Sequence, residues 1–143
     1  PQYISADSTI ERSIIGEGTS VYGSVYNSVI GSGVTIGKGA VISNSIIMQD
    51  VVIGEGSVIE KAIIADKTEV GANVRMGVGE YAPSKLDPKV YNSDLVTVGE
   101  KSYIPDGVTI GKNTAISGVT EKDDYPEGNL ASGEYVIKAG GVL

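Results

Sequence analysis

The sequence predicts an all-β fold, a parallel β-helix of triangular coils, and three observations carry that prediction. Aliphatic residues recur at steps of 6, 6 and 5. Glycine often follows them directly, and a second Gly or Asn often stands two residues further on. The aliphatic residues are mostly Ile and Val, with little Leu and no Phe or Trp.

The repeat is clearest at Ile30, Ile36, Ile42, Ile47, Ile53, Ile59, Ile64, Val70 and Met76, a full period of 17 residues with no slip. The same register is found before it at Ile4, Ile10, Ile15 and Val21, and after it at Val98, Ile104, Ile110 and Ile116. One shortened turn separates Val21 from Ile30, and one long interruption separates Met76 from Val98. A fixed period of this kind is the signature of a repeat architecture.

Each step has a strand and a corner. β-Branched residues suit a pleated surface and lose rotamer freedom in helices, so Ile and Val favour strands. A small or β-branched residue stands two before the marked one, at Val34, Ala40, Ser57, Thr68, Val74, Ser102, Val108 and Thr114. Strand period 2 turns it to the same inner face. Gly16, Gly31, Gly37, Gly54, Gly71, Gly77, Gly99 and Gly111 follow marked residues directly, and Gly18, Gly33, Gly39, Gly56, Asn73, Gly107 and Asn113 stand two further on. Both sets read as turn residues that accept left-handed backbone. Three steps close one coil, and coils stack about 4.8 Å apart as parallel strands.

The chain of 143 residues suits one domain, 1–143. A formal charge of −7 argues against nucleic acid and against an anionic membrane surface, which both select clustered Lys and Arg. No apolar run approaches the roughly 20 residues of a membrane helix, and no signal peptide opens the chain. Cysteine is absent, which excludes disulfides and thiolate metal sites, and so is histidine.

Glycine pairs such as Gly31-Ser32-Gly33, Gly37-Lys38-Gly39 and Gly54-Glu55-Gly56 lack the following helix that a phosphate loop needs, and read as corners. Asp123 and Asp124 read as a solvated pair in a turn before Tyr125-Pro126. The interruption GEYAPSKLDPKVYN holds Pro83 and Pro88, which disfavour a central strand, so a loop excursion is expected near 79–93 with the coil resuming at Asp94–Val98. That loop is either a tolerated insertion or a contact with another domain, subunit or effector. A C-terminal capping tail is expected near 121–143.

The outer faces give the candidate site. In the five-residue steps the residue before the marked one points out: Ile14, Val29, Ile46 and Ile63. They should stack into one apolar strip, whereas Thr35, Val52, Glu69 and Val41, Val58, Arg75 give the other two faces a mixed character. A continuous apolar ladder in water is expected to be covered, by another copy or by the tail after Glu121. Its association should persist in high salt, since the strip itself carries no ion.

The six-residue pattern resembles the hexapeptide-repeat family, which implies a left-handed coil although parallel crossovers are generally right-handed. Acyltransferases and zinc hydrases of that kind depend on His, so the residues here give no catalytic group and no metal or cofactor ligand. The stretch Asn27–Gly79, above all Asn44-Ser45-Ile46-Ile47-Met48 and Lys61-Ala62-Ile63-Ile64, is similar to the C-terminal domain of bacterial ADP-glucose pyrophosphorylase (glucose-1-phosphate adenylyltransferase). Val98-Gly99-Glu100, the run Ile104-Pro105-Asp106-Gly107-Val108-Thr109-Ile110-Gly111-Lys112-Asn113 and the opening Tyr3-Ile4-Ser5 fit the same family.

The resemblance implies a cytoplasmic enzyme of glycogen synthesis that makes ADP-glucose and pyrophosphate from ATP and glucose 1-phosphate with Mg²⁺. It implies an N-terminal catalytic domain that is not in this sequence, whose Gly-rich nucleotide loop and acidic Mg²⁺ ligands do the chemistry. This domain would then serve tetramer assembly, docking on the catalytic domain and allosteric control. The β-helix of another sugar-nucleotide pyrophosphorylase, the non-catalytic regulatory subunit of the glycogen pathway and a purely structural β-solenoid remain as alternatives.

Overall fold

Short β-branched strands joined by sharp corners must close into coils, and the computed structural model, which describes residues 1–138, has this architecture. Twenty strands form three parallel sheets. The first sheet holds Tyr3–Ile4, Ser20–Val21, Thr35–Ile36, Val52–Ile53, Glu69–Val70 and Tyr103–Ile104. The second holds Thr9–Glu11, Ser24–Tyr26, Val41–Ser43, Val58–Glu60, Arg75–Met76, Thr109–Ile110 and Asn129–Leu130. The third holds Ile14–Ile15, Val29–Ile30, Ile46–Ile47, Ala62–Ile64, Val96–Val98, Thr114–Ser117 and Tyr135–Ile137. The chain visits the sheets in that order, and each strand pairs with its equivalent one coil on, as in Val52↔Glu69 and Ile53↔Val70.

The aliphatic column is the core. Every marked residue from Ile30 to Met76 is at most 1% exposed, as are Val98, Ile104, Ile110 and Ile116. Burying each such side chain stabilises the fold by roughly 1.5–3 kcal/mol. Ile4 is exposed and Ile10 and Ile15 half-buried, because the first coil is paired on one side only. All eight small residues two before the marks are buried. The hydroxyls among them join coils: Ser57 Oγ donates to Gly71 O at 2.8 Å and accepts Val74 N–H at 3.0 Å. The shortened turn is the step from Val21 to Val25, where Val25 is fully buried in the second sheet.

The two glycine sets have different roles, which corrects the sequence expectation. The second set has positive φ throughout, from Gly18 at 70° to Gly107 at 76°, with Asn73 and Asn113 both at 56°. In the first set only Gly77 does. Gly16, Gly31, Gly37, Gly54, Gly71 and Gly111 give room instead: a Cβ on Gly54 would lie 2.4 Å from the carbonyl carbon of Gly71 in the next coil.

Residues 79–93 leave at the corner between the second and third sheets and run toward the last coil. The Asn113 side chain donates to Ala82 O at 3.0 Å and accepts Asp94 N–H at 2.9 Å. Lys85 N–H donates to Gly133 O at 2.8 Å, and its ammonium pairs with Glu134.

After Glu121 two short 3-10 turns, Lys122–Asp124 and Pro126–Gly128, lead into the last strands of the second and third sheets. Among the described residues, to Lys138, the tail therefore extends the stack and does not lie across Ile14, Val29 and Ile46, which are exposed. Tyr125, 2% exposed, joins the core where the first sheet has no further strand, and its hydroxyl meets Thr120 Oγ1 at 2.8 Å. Burial pushes its phenol up to about 12.

Candidate interaction surface

The outward strip forms as the strand alternation requires. Ile14 pairs in register with Val29, Val29 with Ile46, and Ile46 with Ile63. Ile14 is 68% exposed, Val29 45% and Ile46 43%, and Ile63 is half-buried. Beyond Ile63 the same line continues as Thr97, Ala115 and Tyr135. The structure thus brings all four expected residues onto one face of the third sheet.

A row of serines fixes that face. Ser28 N–H donates to Ser13 Oγ at 3.0 Å, Ser45 N–H to Ser28 Oγ at 3.0 Å, and Ala62 N–H to Ser45 Oγ at 3.1 Å. Ser28 and Ser45 each turn their own hydroxyl onto the carbonyl two residues back, Tyr26 and Ser43, at 2.8 Å. Each hydroxyl therefore satisfies a donor that the corner leaves outside the strand ladder. The Ser that precedes each outward residue in Ser-Ile-Ile and Ser-Val-Ile is the sequence counterpart of this row.

Two features escaped the sequence reading. Met48, 39% exposed, stands directly after the inner Ile47, where the coils on either side carry Gly31 and Ala65. It borders a hollow of about 310 Å³ with Ile63, Ala65, Asp66, Thr97 and Glu100. A second hollow of about 500 Å³ lies between the 79–93 loop and the end of the second sheet, lined by Tyr81, Thr109 and Leu130 among others. The break in the coil period signalled that loop, but its position over the last coil depends on Asn113, which reads in sequence as an ordinary corner residue.

The two aspartates differ from the expected solvated pair. Asp123 is exposed, but Asp124 caps its turn, accepting Glu121 N–H at 2.7 Å and the Lys138 ammonium at 2.9 and 3.2 Å. The Glu121 amide and then Lys138 hold its carboxyl below the usual value, and Asp124 in turn raises Lys138. Among the described residues no group of three or more His, Cys, Asp or Glu is placed to hold a metal ion, and no helix is long and apolar enough to cross a membrane.

A three-sided stack of hexapeptide coils that offers its outer faces rather than a cleft is a hexapeptide-repeat β-solenoid. Residues 3–98 match the family described as GlmU-like, C-terminal hexapeptide, and the chain belongs to that family. It is 62% identical over 140 residues to a glucose-1-phosphate adenylyltransferase of Lachnospira eligens, covering 98% of this chain and 33% of the relative. It is 56% identical to the enzyme of that name from Thermotoga sp. (strain RQ2) and 45% identical to that from Acetivibrio thermocellus, with 96% of this chain and 32% of each relative covered. The chain spans about a third of the length of these relatives, their C-terminal part.

Proposed function

We propose that this chain is the oligomerisation and regulatory domain of a glucose-1-phosphate adenylyltransferase, and that it is not catalytic alone. In the whole polypeptide, an N-terminal catalytic domain would join ATP and glucose 1-phosphate, with Mg²⁺, into ADP-glucose and pyrophosphate in the cytoplasm. The observation that carries this reading is the 62% identity confined to one third of the relative's length. The β-helix would meet a neighbouring domain or subunit through the Ile14–Val29–Ile46–Ile63 strip, since such a strip is poorly hydrated when bare.

Two measurements test it. The whole polypeptide is expected to form ADP-glucose, and the purified chain of 143 residues to show none above background with the same reagents. An inactive whole polypeptide sinks the adenylyltransferase reading; activity of the short chain that survives repurification sinks its non-catalytic part. Second, Ile46→Lys with Ile63→Lys places like charges on adjacent coils at 43% exposed and half-buried positions. Assembly of the whole polypeptide should weaken by tenfold or more, about 1.4 kcal/mol, while the thermal melt of the β-helix stays in place. An unchanged mass in solution would mean that the contact lies elsewhere.

A further inference from the structure

We propose that residues 79–93 form a strap that couples the last three described coils, so that the last of them, residues 129–138, docks and releases together with the strap. The pair is a conformational switch at the C-terminal end of the described stack. It does not depend on the adenylyltransferase reading.

A solenoid ordinarily couples each coil only to its neighbours. The corner between the second and third sheets departs from that rule. Earlier coils turn there on a single left-handed residue, Asn27, Asn44 or Lys61. After Arg75–Met76 the chain instead reaches down that corner past two coils before it returns at Val96–Val98. On the next coil Asn113 holds both stems at once, donating to Ala82 O at 3.0 Å and accepting Asp94 N–H at 2.9 Å. On the coil after that, Gly133 O accepts Lys85 N–H at 2.8 Å, and Glu134 pairs with the Lys85 ammonium. That ion pair is exposed and contributes little. The Lys85 amide and Asn113, itself 2% exposed, are therefore the main hold.

The fit is close. Gly133 is left-handed, with φ of 82°, and an added Cβ there would strike the Pro83 carbonyl oxygen. The strap is also folded in itself. The Ser84 hydroxyl accepts Leu86 N–H at 3.1 Å and Asp87 N–H at 3.2 Å. Asp87 O accepts the amides of Val90 and Tyr91 at 3.1 and 2.9 Å. A piece tied together in this way can move as one body. Its ends can hinge: Gly77 and Gly79 at the entry, and Ser93 and Asp94 at the exit, all have positive φ. Ser93 and Asp94 are not glycines, so that region of backbone is strained for them. The bond from Asp94 N–H to Asn113 holds the strained exit in place.

The last coil needs such a hold. Among the described residues it pairs on one side only, through Asn129–Leu130 and Tyr135–Ile137, and it adds no strand to the first sheet. Its far end is tied by Lys138, whose N–H donates to Ser117 O at 2.9 Å and whose ammonium meets Asp124. Release would bare the edges of Thr109–Ile110 and Thr114–Ser117. It would also open the hollow of about 500 Å³, which is walled by the strap stem, the middle coil and the last coil together. Docked strap and docked coil stabilise each other, and by linkage that effect runs equally in both directions.

Hydrogen exchange of single amides, followed by NMR on the full chain, tests the coupling from both ends. Asn113→Gly removes the latch and keeps a residue suited to the left-handed corner; Ser84→Ala unties the strap's own turn. In each variant the Lys138 amide, at the end of the last coil away from the strap, should exchange at least about tenfold faster. Val136 is half-buried in the last coil, in register with Ile116. Val136→Gly should in turn speed the Lys85 amide at least about tenfold. Gly31 N–H, bonded to Ile47 O in the middle of the stack, is the control and should not change. Unchanged exchange at Lys138 in either strap variant, or at Lys85 in the Val136 variant, would overturn the coupling and leave the segment a tolerated insertion. Equal acceleration at Gly31 would overturn it too, because the stack would then open as one unit. None of these results alters the adenylyltransferase assay, so the two readings fail separately.

Discussion

Ile47→Asp should unfold the chain at ordinary temperature, whereas Glu55→Ala should leave the thermal midpoint within experimental error. Ile47 is 1% exposed and lies in register between Ile30 and Ile64 on the coils either side, themselves 1% and 0% exposed. Losing the aliphatic side chain costs about 1.5–3 kcal/mol. The larger part is the carboxylate, which finds no donor among stacked Ile and Val; an unpaired buried charge costs several kcal/mol even after it escapes by taking up a proton. Together these match most of the roughly 5–15 kcal/mol that holds a domain of this kind folded. The position matters too. A solenoid is stabilised by nearest-neighbour stacking, so damage in a middle coil separates the coils on either side instead of fraying an end. Glu55 is an exposed corner residue whose backbone carbonyl, which the substitution keeps, accepts Asn73 N–H at 2.9 Å. Melts followed by circular dichroism decide between them. An unchanged midpoint for the Asp variant would mean that the assigned inner column is wrong.

The inner column, the corners and the outward strip were legible because all three follow from one period. A 17-residue repeat with strand alternation fixes which side chain points in, and the structure places each marked residue from Ile30 to Met76 in the core. What was lost lies where the period breaks. Val25 falls outside the repeat because its step from Val21 is four residues long, shorter than either repeat unit. The strands Asn129–Leu130 and Tyr135–Ile137 fall outside the repeat because the 3-10 turns before them upset the spacing.

Glycine shows the same limit, and it leads to the other large effect expected here: Gly54→Ala should destabilise the chain by about 3 kcal/mol or more, whereas Gly107→Ala should cost about 1 kcal/mol. In sequence the two are alike, each a corner glycine near an Ile. In the structure Gly107 has φ of +76° and nothing within 4 Å of an added Cβ. Its alanine variant meets only the strain of left-handed backbone, which Asn73 and Lys101 already bear at 56 and 55°. Gly54 has an ordinary φ, yet an added Cβ would stand 2.4 Å from Gly71 C, 2.5 Å from Gly71 O and 2.6 Å from Ala72 N. All three are backbone atoms, so no side chain can rotate away. The next coil would have to lift, and with it the bond from Gly54 N–H to Val70 O at 2.8 Å and the pairing of Val52–Ile53 with Glu69–Val70. Urea denaturation of the two variants measures the difference directly, because the midpoint shifts with stability at a nearly constant slope. Equal shifts for both would show that the spacing between coils gives at little cost.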